Sequence, residues 1–389
     1  MIPSIAPLTD ADELFNHQIV NTHAAVGTAD RSWTEKAWFT LIRKDATLQV
    51  GLGLGKYPNR NVMDGFAGVQ RGTQQRTVRA SRVLAPRFDD MSVGPIACEV
   101  IEPYKTLRIT LAENDAQPLR FDLLFHMTMP AFFENRDIVV HGGRTASDLI
   151  RFHQPGTVSG WIEIDGERIE VNPDDWYGFR DRSWGVREHV GLDPTDLVPG
   201  NVGISSSDKT GSAFHFNWLV SKIDRPDGTS YDLAYYFRDY GGLGAPTFFT
   251  GHINESDGRQ IPILHLHPEM DYRDQDRGAM RGRVTAILAG PGKQVVERVF
   301  DIEVINPEMG FRLLPGMYGA WKGQVHGSYK GEDFLDGECI DDVNAPAKLA
   351  ETYRWQIRDR PVRIREGENE GFGDMESIIL GDYPGVRIV

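Results

Sequence analysis

Between Leu119 and Met129 the chain changes polarity at almost every step. Leu119, Phe121, Leu123, Phe125, Met127 and Met129 fall on one side, and Arg120, Asp122, His126 and Thr128 on the other. A period of two places successive side chains on opposite faces of a strand, and a helix cannot segregate such a pattern. Ala213–Ser221 repeats it, with Phe214, Phe216, Trp218 and Val220 opposite His215 and Asn217. Tyr231–Phe237, Val295–Ile305 and Thr352–Ile357 are similar and rich in the aromatic and β-branched residues that suit a pleated surface. Ile164-Asp165-Gly166-Glu167 and Pro226-Asp227-Gly228-Thr229 carry the Asp-Gly signature of hairpin turns. Helical signals are few: a Thr9 cap with Asp12 and Glu13 predicts a helix to about Thr22, and Ala345–Glu351 could make one or two turns. The expected class is all-β, with few short helices and with barrels or sandwiches managing the many strand edges.

A chain of 389 residues exceeds what one hydrophobic core usually supports. Asp193, Pro194, Asp196, Pro199 and Gly200 crowd into Gly191–Gly200, which predicts an N-terminal β-domain over 1–190 and a C-terminal one over 200–389. The net charge of −14 argues against a nucleic-acid surface and against attachment to an anionic membrane. No run of eighteen apolar residues marks a membrane span, and Met1–Leu14 lacks the bases and apolar core of a signal peptide. Cys98 and Cys339 are too few and too far apart for a disulfide framework. Together these predict a cytoplasmic protein, and an assembly of like subunits is compatible with them.

The run Asp175-Trp176-Tyr177-Gly178-Phe179-Arg180-Asp181-Arg182-Ser183-Trp184-Gly185-Val186-Arg187-Glu188 sets acids and arginines among four aromatics. Half-buried charges are costly unless paired, so the composition describes a polar cluster in an aromatic wall. If extended, the run puts Tyr177, Phe179 and Asp181 on one face and Arg180, Arg182 and Trp184 on the other. Two readings follow: an Arg/Asp lock at a domain junction, or a site in which Asp181 transfers protons with its pKa set by burial and nearby arginines. His215 and Asn217 are likewise either solvent-facing or ligand-orienting groups inside a barrel. Tyr235 and Tyr236 straddle both faces of their strand, so one of them joins whichever side lines a cavity.

Other patterns read as structure. Gly51-Leu52-Gly53-Leu54-Gly55 runs into Lys56-Tyr57-Pro58 where a dinucleotide fingerprint would open a helix, so a closely approached strand fits better. His265 and His267 with Glu269 and Asp271 could ligate a metal, but histidines on a solvent-facing edge are commoner. Ser205-Ser206-Ser207 lacks a nucleophile-elbow pattern and reads as a polar loop. Neither a metal nor a cofactor is expected.

At Asp181, Arg182, Trp184 and Gly185 the sequence resembles the carotenoid 1,2-hydratase/AttH-like group, which carries a comparable Asp-Arg-x-Trp or Asp-His-x-Trp-Gly stretch. The resemblance implies two lipocalin-like antiparallel β-domains in tandem. It also implies a cofactor-free cavity that protonates an alkene and adds water. The family's His is Arg182 here, and an arginine cannot exchange protons near neutral pH. The expected function is therefore a lyase, hydratase or isomerase acting on an apolar or aromatic small molecule. Asp181 is the expected acid–base, with His215 second. Arg182 or Arg187 would hold an anionic or phenolic group or fix Asp181. Tyr177, Trp184, Asn217, Trp218 and Tyr236 would line the pocket, with cation–π help from the aromatics. The alternative is a lipocalin-like carrier of hydrophobic ligands that does no chemistry.

Overall fold

The computed structural model describes residues 8–14, 17, 20–141, 144–191, 213–239, 248–313, 325–352, 357–381, 383 and 386–389. The chain is almost entirely antiparallel β, arranged as two large sheets. The first runs, in spatial order, through Asp333–Ile340, Gln74–Val83, Val62–Arg71, Leu48–Tyr57, Trp33–Arg43, Trp176–Val186, Arg144–Ile164, Leu119–Met127, Thr106–Leu111, Ile96–Glu102 and Ser92–Val93. It curls as a half-barrel around an apolar core that includes Phe39, Leu52, Phe121, Phe125, Ile162 and Trp176. In the second sheet Phe248–Glu255, Ser230–Asp239, Phe214–Asp224, Asn369–Leu380, Arg358–Glu366, Val295–Val304, Ala279–Ala289 and Gln260–Tyr272 follow one another. Pairing of Ile253 with Ile261 closes the ring into an eight-stranded barrel. The expected two-domain all-β fold is the fold observed.

The sequence alternation is realised on these strands. Phe121, Leu123 and Phe125 are buried, while Arg120 and Asp122 pair across strands with Glu163 and Arg108. Asp165 and Gly166 both take positive φ, 53° and 81°, as a type I′ turn requires, and so join Ile164 to Glu167. The helix expected from Thr9 to Thr22 is one 3-10 turn, Asp10–Glu13, followed by an extended Leu14. The Asp12 carboxylate accepts from the Thr9 and His23 backbone N–H groups (2.6 and 2.8 Å), which folds the chain back on itself. The second short helix lies at Pro346–Thr352. Most of Gly191–Gly200, and Ser205–Ser207, lie outside the described residues.

The two sheets meet face to face. A third apolar cluster, containing Trp38, Ile42, Phe66, Tyr177 and Phe179 from the half-barrel and Phe216, Trp218, Val220 and Ile378 from the barrel, forms the seam. Each large apolar side chain buried there contributes roughly 1.5–3 kcal/mol relative to exposure, so the seam holds the sheets in a defined orientation. Gly51 and Gly68 are register partners, and both stand under the ring of Phe311. A Cβ on Gly51 would lie 2.7 Å from that ring. The glycine-rich strand is therefore a seat for an aromatic residue, as the close-approach reading expected. Among the described residues no helix is long and apolar enough to cross a membrane.

Candidate active site

Strand register decides which polar groups enter the seam. Asp181 pairs with Trp38 on one neighbouring strand and His153 on the other. One step along, Ser183 pairs with Lys36 and Arg151. On the barrel, Trp218 pairs with Tyr236 and with Glu376. These rows face each other and form a polar patch inside an aromatic frame.

Arg151 organises the patch. Its Nε lies 3.4 Å from Asp181 Oδ2, its Nη1 donates to Glu134 Oε2 at 3.2 Å, and its guanidinium stands 5.9 Å from the Trp218 ring. Trp218 Nε1 donates to the other Glu134 oxygen at 3.1 Å and meets Trp38 edge-on at 5.4 Å. Asp181, Glu134 and Arg151 keep 13%, 14% and 17% of their side-chain exposure, so the cluster is enclosed but not sealed. Glu134, Arg151, Arg187, Tyr236, Arg238 and Phe248 are among the residues lining a cavity of about 210 Å³. A larger groove of about 620 Å³ lies on the barrel's outer face. Its Asp271, Arg281, Arg283, Asp301 and Arg387 pair with one another, which marks a solvated ion-pair lattice.

Burial raises the Asp181 carboxyl above the usual range, and Glu134 adds to this, while Arg151, Arg187 and Lys36 pull it back. Burial lowers Lys36 well below an ordinary lysine, helped by Arg187, and its amine contacts His326 Nδ1. His153 is also buried, which opposes its charge. Asp232, 2.6 Å from Nε2, outweighs that effect and raises the histidine overall. Asp232 accepts in turn from Asn254 at 2.8 Å and from the Ser221 backbone N–H at 2.9 Å. The His153–Asp232 pair thus ties half-barrel to barrel.

The structure separates the expected site residues into groups. Tyr236 and Arg187 line the seam cavity, Arg187 donating to Ser183 Oγ at 3.0 Å, while Asp181 and Trp218 adjoin it through Arg151. Tyr177 shares the Asp181 face but lies further along it, stacked on Phe372 at 4.9 Å. Arg182 and Trp184 project from the opposite face, as the alternation predicted. Arg182 bonds Glu35 Oε2 at 2.5 Å, and Trp184 packs on Phe133 and Phe152. The structure does not bring these two to Asp181. His215 and Asn217 point into the barrel, because Phe216 and Trp218, which alternate with them, take the seam-facing positions. His215 meets the Tyr272 hydroxyl at 2.7 Å and is pushed down to about 4 by burial. Asn217 accepts from the Tyr235 hydroxyl. Both serve the barrel core and stand away from Asp181. His265 and His267 are exposed on the barrel's outer surface.

Sequence reasoning missed Glu134, Arg151, His153, Trp38 and the acids Asp359, Asp374 and Glu376. Arg151 and His153 alternate as Asp181 and Ser183 do, but only strand pairing reveals that the two rows are adjacent.

The fold has solved counterparts. A protein assigned as AttH from Nitrosomonas europaea superposes with a TM-score of 0.50 at 12% identity, covering 89% of this chain and 92% of that one. CghA, crystallised with Sch210972, gives a TM-score of 0.50 at 10% identity, covering 90% and 89%. At such identities the likeness concerns the fold, and the fold is the one that the Asp181–Gly185 resemblance implied. No curated protein matches the chain by sequence. The model of a family of unknown function, DUF8625, matches residues 8–386, and the chain belongs to that family.

Proposed function

We propose that the protein is a cofactor-independent lyase of the hydratase type, acting on an apolar or aromatic small molecule in the cavity between half-barrel and barrel. The observation that carries this reading is Asp181. It is a carboxyl raised by burial and in contact with Arg151, which lines a partly open cavity. A carboxyl that burial raises while neighbouring cations favour its anion suits proton transfer. Tyr236 and Phe248 give the cavity aromatic faces able to stabilise cationic character as a double bond is protonated or a hydroxyl departs. Arg187 offers a guanidinium to an anionic or phenolic substituent. That a protein of this fold was crystallised with Sch210972 agrees with a small-molecule site.

The test is incubation with a panel of apolar and aromatic alkenes and their hydrates in deuterated buffer, read by mass spectrometry. The wild type converts at least one compound with incorporation of solvent deuterium. Asp181→Asn lowers that turnover roughly 10²–10⁴-fold with an unchanged far-ultraviolet circular dichroism spectrum. Compounds that bind but return unchanged would establish a carrier instead.

A further inference from the structure

We propose that Glu376 is the second working carboxyl of this site, the proton donor set against Asp181 as base, and that Asp359 tunes it through a direct hydrogen bond. The proposal rests on the lyase reading above. It starts from three acids on adjacent barrel strands. Glu376 pairs with Trp218, Asp374 pairs with both Val220 and Pro361, and Asp359 lies two residues before Pro361. Trp38, the register partner of Asp181, donates its indole N–H to Asp359 Oδ2 at 3.2 Å, and Asp359 is hydrogen-bonded to Glu376. Glu376 therefore shares the seam-facing row with Trp218 and, through Asp359, neighbours Trp38 in the row of Asp181.

Among the described residues none of the three acids has an ion pair. Both oxygens of Asp374 and Oδ1 of Asp359 are buried without a hydrogen-bond partner. Three carboxyls at close quarters cannot all be ionised, since Asp359 and Asp374 would carry charge without water or a counter-ion. Burial, reinforced by their neighbours' charge, holds Asp359 and Asp374 well above the carboxylate range. Glu376 is pushed up to about 7, with burial the largest cause and Asp181 and Glu134 adding to it, while Arg151 and the Asp359 hydrogen bond oppose it. Asp359 and Asp374 are sealed, whereas Glu376 keeps partial exposure. Glu376 is thus the member able both to hold a proton near neutrality and to release it outward. Asp181 faces Arg151, Arg187 and Lys36, which favour its anion. Two carboxyls whose surroundings differ in this way divide into acid and base.

For hydration the step balances without a redox partner. The Glu376 O–H bond breaks as a C–H bond forms on the alkene. Water's oxygen bonds the resulting cationic carbon while Asp181 takes one water proton. Solvent returns that proton from Asp181 to Glu376, so the net change is alkene plus water to alcohol.

Infrared spectroscopy of the whole protein, titrated across neutral pH, reads the proton directly. The expected result is a deuteration-sensitive neutral-carboxyl band that titrates near 7 in the wild type, persists in Asp181→Asn, disappears in Glu376→Gln and titrates higher in Asp359→Ala, which removes the hydrogen bond that favours the Glu376 anion. On the panel described above, wild-type turnover falls as pH rises through about 7, and Glu376→Gln loses that limb together with roughly 10²–10⁴-fold of rate. Absence of the band at neutrality, its survival in Glu376→Gln, or wild-type turnover by that variant overturns the proposal. A band with no conversion of any panel compound would instead defeat the lyase reading, so the two failures are distinct.

Discussion

At the scale of single residues, the seam is unusual in concentrating acids whose ionisation the fold opposes. Glu376 shows the consequence for stability. Its carboxyl is raised from an ordinary 4.5 to about 7, so the folded chain holds a proton that the unfolded chain has released over that interval. A state that binds more protons is weakened as pH rises, so this residue's contribution falls between about 4.5 and 7 and stays low above that. A shift of this size corresponds to something on the order of 3 kcal/mol. Glutamine keeps the shape and cannot ionise. Glu376→Gln should therefore gain stability relative to the wild type as pH rises through this window, with the difference levelling off above neutrality. Urea unfolding at pH 4.5, 6 and 8 measures it; a difference independent of pH would show that Glu376 titrates normally.

At the scale of elements, strand alternation was the most legible part of the sequence. It separated Tyr177, Phe179 and Asp181 from Arg180, Arg182 and Trp184 correctly, because period two needs no knowledge of neighbours. It could not say which face of a strand turns inward. It therefore grouped His215 and Asn217 with Asp181, although Phe216 and Trp218, which alternate with them, are the residues that reach the seam. Nor could it supply Arg151 or Glu134, since a partner is chosen by strand order, which local pattern does not encode. The Gly51–Gly55 strand illustrates the same limit. Its glycines are intelligible only once Phe311, 260 residues later, is seated over Gly51 and Gly68. Overpacking of such a contact typically costs about 1–3 kcal/mol. Gly51→Ala should lose stability in that range, and Phe311→Leu should relieve much of the loss when the two are combined. A double-mutant cycle by chemical denaturation checks the coupling; strictly additive losses would mean that the ring does not rest on the glycine.

At the scale of the whole molecule, sequence composition suggested domains at 1–190 and 200–389. One large apolar core draws on residues 37–176 and another on 219–379. The hydrogen-bonded sheets cross between these stretches. Asp333–Ile340 leaves the barrel half and pairs along its length with Gln74–Val83, closing an edge of the half-barrel. A fragment of 1–190 would bare that edge together with Trp38, Ile42, Phe66, Tyr177 and Phe179. The complementary fragment would bare Phe216, Trp218, Val220 and Ile378, and would open Asp359 and Asp374 to water. Unpaired edges and contiguous apolar patches both favour association. Each fragment expressed alone should aggregate or bind hydrophobic dye, whereas the two co-expressed should recover a soluble pair. The intact chain should unfold in one transition, reported alike by near-ultraviolet circular dichroism, which sees the tryptophan-rich seam, and by far-ultraviolet signal from the strands. Two soluble fragments with separate transitions would mean that the seam is an accessory contact. The carboxyl site would then be built by docking of finished domains, where the shared strand implies that site and fold form together.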